Sequence, residues 1–225
     1  MRKLHGPATS PFVRKAWLFL QEKGIAFEHR ELDPLAKTPR FLAMNPLGRV
    51  PILEEDDGHL IRDSSVICDY LERIRPAPPL YPAPPRERAR ALWLEEYGDT
   101  ALTAVCARVF WMHVIIPVRT GKPVEPGEVS RFVDESFPGA LDYLESIAPT
   151  QGWLLGDFGI ADIALFSPVR LLDLAGAPLD AKRWPRFEAW YRRVAARPAA
   201  QSIVAAELAA TEVFRTTGNA PPSAG

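Results

Sequence analysis

Two segments of this 225-residue chain hold residue types and spacings suited to binding a small anion: Asn45-Pro46-Leu47-Gly48-Arg49-Val50-Pro51-Ile52-Leu53, and Asp63-Ser64-Ser65 twelve residues after its second proline. In the first, a proline interrupts Val50 to Leu53, an apolar run that otherwise reads as a strand. Proline has no N–H for a sheet ladder, so Pro51 belongs at an edge or in an unusual backbone state. A cis Val50–Pro51 bond is one such state. It would turn the N–H and C=O of Val50 outward, where they could pair with the main chain of a bound peptide as an added strand would. Asp63-Ser64-Ser65 then opens a helix, and helix N-termini hold carboxylates. The pairing reads as a site for a small peptide-like anion.

The elements that must carry these segments follow from caps and periodicity. Met1 to Leu4 is a short strand candidate. Ser10-Pro11 starts a helix, with Ser suited to the N-cap and Pro to the first helical position. Val13, Ala16, Trp17 and Leu20 form its apolar face, Arg14, Lys15, Gln21 and Glu22 lie on other faces, and Gly24 stops it. Ile25 to Leu32 reads as a second strand, and Thr38-Pro39 opens a short helix through Met44. Val50 to Glu54 and His59 to Arg62 make a hairpin about Asp56-Asp57-Gly58. Asp63 caps the next helix, with Val66, Ile67, Tyr70, Leu71 and Ile74 as its apolar face. The order is β-α-β-α-β-β-α, a small α/β unit over 1–75. Residues 76–86 are a Pro-rich linker, 87–215 an all-helical domain and 216–225 a flexible tail.

Composition narrows the function classes. Twenty-seven basic against 28 acidic side chains give a net charge of −1, without the basic excess of a nucleic-acid binder. Charges and prolines break every apolar stretch before the roughly 20 residues of a membrane span, and the N-terminus lacks an export core. A cytoplasmic protein with no membrane partner is expected. Cys68 and Cys106 lie far apart within helical apolar patterns and read as buried. The four histidines, His5, His29, His59 and His113, show no metal-ligand spacing, so no metal is expected.

With Ser10-Pro11-Phe12, Asn45-Pro46-x-Gly48-x-Val50-Pro51 and Asp63-Ser64, the layout resembles the cytosolic glutathione transferases, especially serine-type bacterial and plant members. The resemblance spans nearly the whole chain. It implies a thioredoxin-like domain followed by an all-helical one, in which Gly156 to Ala164 resembles the family's capping-box segment. That segment usually has Ser or Thr where this chain has Gly159, a weaker cap by a few tenths of a kcal/mol at most. Asp162 remains able to receive the backbone N–H.

The resemblance also implies a chemistry. A glutathione thiol with a pKa of ~8.5 is only about 3% thiolate at pH 7, and the thiolate is the attacking species. Lowering that pKa to ~6.5 requires roughly 2.7 kcal/mol of preferential thiolate stabilisation. One hydroxyl hydrogen bond to a charged acceptor supplies about 1.5–3 kcal/mol, and the helix dipole ~0.3–1 kcal/mol. By resemblance Ser10 is that donor, with Thr9 the competing hydroxyl. Ser-Pro alone is an ordinary cap. Asp63 would pair with the γ-glutamyl ammonium, Ser64 would give its backbone N–H and hydroxyl to the γ-glutamyl carboxylate, Val50 would pair with the tripeptide main chain, and Arg49, with Lys37, would reach the glycyl carboxylate. Phe12, Phe110, Trp111 and Val114 would line an apolar electrophile site, although aromatics at this spacing also read as core. The implied function is conjugation of glutathione, as co-substrate, to a small apolar electrophile by a homodimer. Isomerisation, dehalogenation or peroxide reduction on the same fold, and a non-catalytic assembly or regulatory module, are the alternatives.

Overall fold

The computed structural model describes residues 1–218. The chain forms two compact units: Met1–Leu80 together with the segment from Ser202 onward, and Tyr81–Gln201.

The first unit has the expected β-α-β-α-β-β-α order. β1 (Arg2–His5), α1 (Pro11–Glu22), β2 (Phe27–Arg30), α2 (Pro39–Met44), β3 (Ile52–Glu54), β4 (Leu60–Arg62) and α3 (Ser64–Ile74) follow in turn. The sheet order is β2-β1-β3-β4; β1 and β2 run parallel and the other pairs antiparallel. β1 keeps the expected four residues, shifted by one, whereas β2, β3 and β4 are shorter than the sequence suggests, because the pairing registers end at Arg30 on β2 and at Ile52 on β3. Ser10 caps α1 and Thr38 caps α2, each with proline in the first turn.

Two helix faces differ from the sequence reading. On α3 the buried residues are Ser64, Ile67, Cys68 and Leu71, whereas Val66 and Ile74 are exposed. The buried stripe runs at i, i+3, i+4 and i+7 from Ser64, which leaves Val66 off it; Ile74 lies on the line of the stripe but is the last residue of the helix. On α1, Arg14 and Lys15 are buried rather than solvated. Arg14 pairs with Glu207, which is fully buried in α10 (Pro198–Thr217), and the Lys15 Nζ donates to Ser65 Oγ at 2.9 Å. A second face of α1 is therefore packed as well.

That packing explains why the contacts group Ser202 onward with the first unit, where the sequence places 87–215 in one helical domain. Trp17 Nε1 also donates to Ser202 Oγ at 2.9 Å. Of the tail expected over 216–225, Thr216 and Thr217 end α10, and 219–225 lie outside the described residues.

The second unit is helical. α4 (Pro85–Tyr97), α5 (Thr103–Phe110) and α6 (Ile116–Thr120) run on through π-helical turns at Gly98–Leu102 and Trp111–Ile115, followed by α7 (Pro126–Ile147), α8 (Ile160–Leu174) and α9 (Pro185–Ala195). Gly98 lets the first π turn approach α8: a Cβ there would lie 2.7 Å from the Ala164 carbonyl oxygen. In contrast to the sequence reading, the run Pro85–Thr120 is long and apolar enough, by length and composition, to cross a membrane. Its apolar window tolerates a few charges that an uninterrupted-run count does not. Here it is a core helix: Ala91, Leu94, Leu102, Cys106 and Val109 are buried along it. Both cysteines are buried, and burial pushes the Cys106 thiol up, away from the reactive thiolate form.

One loop position is fixed by space. Gly6, between β1 and Ser10, has φ +137°, and a Cβ there would meet Val13 Cγ2 at 2.6 Å and Val50 Cβ at 2.9 Å. Gly6→Ala is expected to lower the unfolding free energy by about 2 kcal/mol in chemical denaturation, from overpacking plus an unfavourable φ.

Candidate active site

Ser10 sits at the N-cap of α1 in extended backbone, φ −69° and ψ 128°. Its Oγ accepts a long 3.4 Å bond from the Val13 N–H, and its own N–H donates to the Pro7 carbonyl at 2.9 Å. A hydroxyl that accepts through its lone pair keeps its proton for another acceptor. The carbonyl of Thr9 takes an Arg14 Nη2–H at 3.4 Å. Phe12 is half-buried in the first turn of the same helix.

The loop 45–50 is organised by Asn45, a residue to which the sequence reading gave no role of its own. Asn45 is 4% exposed; its Oδ1 accepts from Leu47 N at 3.1 Å and its Nδ2 donates to the Arg49 carbonyl at 2.8 Å. The signal for it was present, since an Asn two residues before a turn is the usual side-chain cap of that turn. The Val50–Pro51 bond is cis, and so is Ala77–Pro78. β3 begins only at Ile52, so the N–H and C=O of Val50 stand outside the ladder. Arg49 is exposed. Lys37, with φ +46°, donates its Nζ to the Gly48 carbonyl and lies over the Phe41 ring at 5.7 Å from its centroid. That ties Lys37 to the same loop as Arg49 and already uses one of its donors.

At the N-terminus of α3, Asp63 has φ +78°, and its Oδ1 accepts from Ser65 N at 2.9 Å and Val66 N at 3.3 Å. Ser64 is buried at the first helical position. Gly6 lies against Val13 on α1 and Val50 on the loop, so the Ser10 loop and Val50 are neighbours in one unit. Phe110 and Val114 are buried in the second unit, 7% and 1% exposed, whereas Trp111 is 40% exposed. The core reading of the first two therefore holds within their own unit, and Trp111 presents its ring to the surface.

A further group lies behind the Ser10 loop. Glu31, just after β2, accepts from the Ala8 N–H at 3.2 Å, and its other oxygen is buried with no partner among the described residues. Burial pushes its carboxyl up to about 7, the Ala8 N–H opposing that push. His29 places Nε2 2.7 Å from the Gly6 carbonyl, and burial holds its pKa below the usual histidine range. A neutral ring donating through Nε2 fits both facts. Neither residue had a sequence signal, being single polar residues at the end of a strand. No group of three or more His, Cys, Asp or Glu placed to hold a metal occurs among the described residues.

Comparison with known proteins bears on the fold and the family. The family described as "Glutathione S-transferase, N-terminal domain" matches residues 4–79, and "Glutathione S-transferase, C-terminal domain" matches 97–193. A maleylacetoacetate isomerase of Pseudomonas aeruginosa is 32% identical over 76% of this chain and 75% of its own length. The FtsZ-localized protein A of Caulobacter vibrioides is 28% identical over 91% of each chain. The crystal structure of a glutathione S-transferase from Rhodospirillum rubrum F11 superposes with a TM-score of 0.81 at 30% identity, over 91% of this chain and 92% of that one. With two domain matches in sequence order and a relative of this identity and coverage, the chain belongs to the cytosolic glutathione S-transferase family and has the glutathione-related function that goes with it.

Proposed function

We propose that the protein is a glutathione transferase in which the Ser10 hydroxyl stabilises the glutathione thiolate. The observation that supports this most is the state of that hydroxyl: at a helix N-terminus, accepting one long bond, with its proton unspent among the described residues. A sulfur placed there takes the O–H bond and the field of α1 together. The thiolate then attacks the electrophilic carbon, a C–S bond forms, and the leaving group departs with the electron pair of the bond that breaks.

Around that sulfur, the Val50 main chain pairs with the cysteinyl peptide, and the N-terminus of α3 at Ser64 takes the γ-glutamyl carboxylate. Asp63 Oδ1 is used in capping, which leaves Oδ2 for the ammonium. Arg49 and Lys37 give the loop positive charge for the glycyl carboxylate. Of the residues expected to meet the electrophile, Phe12 and Trp111 carry accessible apolar surface, whereas Phe110 and Val114 are core of the second unit. The working form is a cytoplasmic homodimer. A glutathione-dependent isomerase is the second reading, favoured by the 32% identity to a maleylacetoacetate isomerase. In that reaction the same thiolate adds to the substrate and leaves again.

Isothermal titration with glutathione tests the binding half of this proposal. Wild type binds, and Asp63→Ala binds about tenfold more weakly for the loss of one charge-assisted contact, while the lost cap costs about 1 kcal/mol of stability. Folded wild-type protein that takes up no glutathione at millimolar concentration contradicts the enzyme reading and favours the non-catalytic module.

A further inference from the structure

We infer that Glu31 is a positioning residue for Ser10, holding the loop Gly6–Ser10 from the end of β2 so that the Ser10 hydroxyl stays aimed at the sulfur. The inference rests on the assignment of Ser10 above. The loop is tied down at several points: Gly6 N–H to the Arg30 carbonyl at 3.0 Å, the Gly6 carbonyl to His29 at 2.7 Å, and the Thr9 carbonyl to Arg14 at 3.4 Å. Between them, two residues before Ser10, the Ala8 N–H is held by the Glu31 carboxyl at 3.2 Å.

An acid is an expensive way to make that tie. The Glu31 side chain is 15% exposed, one oxygen is buried without a partner, and a single neutral donor does not offset the desolvation of a carboxylate. His29 and the charged groups on the neighbouring elements have partners of their own. His29 lies 3.9 Å away and is bonded to Gly6, His5 of β1 pairs with Glu54, Arg30 of β2 with Glu28, and Arg14 of α1 with Glu207 of α10. With its folded-state pKa at about 7, above the ordinary glutamate value, the residue's contribution to stability is complete below the unfolded value and lost as pH rises through about 7. A buried carboxyl with one oxygen left unpartnered is a poor device for stability, and residues kept at a cost to stability cluster where the backbone must be set for function. What it offers is a charge-assisted grip on Ala8, stronger than a neutral acceptor would give.

The test is a double-mutant cycle in kcat and in the KM for glutathione, with an activated aryl halide as electrophile and a thermal melt for each variant. Glu31→Leu is expected to lower kcat about tenfold with KM within about twofold, because a displaced hydroxyl weakens the thiolate without touching the tripeptide contacts. Glu31→Asp, which keeps the charge but falls one methylene short of Ala8, behaves the same way and carries the cycle if the leucine variant does not fold. Glu31→Gln, which keeps a neutral acceptor at Ala8 without the charge, restores part of the rate and lies between Glu31→Leu and wild type. In a Ser10→Ala background the Leu or Asp change adds no further loss. An equal loss in both backgrounds, or a wild-type rate in Glu31→Leu and Glu31→Asp while Ser10→Ala is slow, overturns the positioning role and leaves Ser10 in place. Full activity in Ser10→Ala itself removes the Ser10 assignment, and the role of Glu31 with it.

Discussion

Ser10→Ala lowers turnover with an activated aryl halide by about 10- to 100-fold and leaves the KM for glutathione within about threefold of wild type. The split follows from where the hydroxyl stands. In the proposed assignment it contacts the sulfur, whose charge develops on activation, and none of the groups that hold the tripeptide. A donor to a charged acceptor is worth about 1.5–3 kcal/mol, which sets the range. Some activation survives because the unpaired N–H groups at the start of α1 remain. The alanine also loses the bond from Val13 N and with it up to about 1 kcal/mol of stability, so a melt must accompany the kinetics. Thr9→Ala is the control for the competing hydroxyl. A larger loss there than in Ser10→Ala would exchange the roles of the two residues.

Asp162→Ala costs about 3 kcal/mol of unfolding free energy near pH 7, and more towards pH 4. Asp162 is 1% exposed at the start of α8 and receives three donors. Leu154 N and Trp190 Nε1 reach Oδ1 at 3.1 and 2.8 Å, and Gly159 N reaches Oδ2 at 3.2 Å. Removing the carboxylate leaves these donors without their acceptor, at about 1–3 kcal/mol for each one that stays buried. Asn is no remedy. Both oxygens accept, so an amide nitrogen at either position would face an N–H. Burial pushes the Asp162 carboxyl up to about 6, the three donors and the nearby Arg197 charge opposing it. Because that value lies above the unfolded one, Asp162's contribution is complete below pH ~4 and declines as pH rises through about 6. Urea unfolding of wild type and variant at several pH values measures both the size and the trend; a gap that widens with rising pH would contradict the burial argument.

The order of elements in the first unit was legible because its caps are local. Ser10-Pro11, Thr38-Pro39 and Asp63 each announce a helix start within two or three residues, and the structure uses all three. Asp162 was legible for the same reason: its reach back to the Gly159 N–H spans three residues. What the sequence did not disclose depends on distant partners. Arg14 reads as a cation off the apolar face of α1 until Glu207, 193 residues away, turns that face inward. That contact, with the bond from Trp17 to Ser202, accounts for the grouping of the end of α10 with the first unit. Of the site, Ser10, Asp63 and the Asn45 to Pro51 turn were visible as short motifs, each with its own local hydrogen bond. Glu31 was not, because an acid after a strand looks like any surface acid until its burial and the Ala8 N–H are known.

The central claim is that Ser10 lowers the pKa of the glutathione thiol, and ultraviolet difference absorbance of bound thiolate against pH measures it directly, wild type beside Ser10→Ala. The expected result is a wild-type midpoint near ~6.5, about two units below a free thiol, moving back towards ~8.5 in the variant. Coincident titrations for the two proteins, each with glutathione bound, would contradict the account.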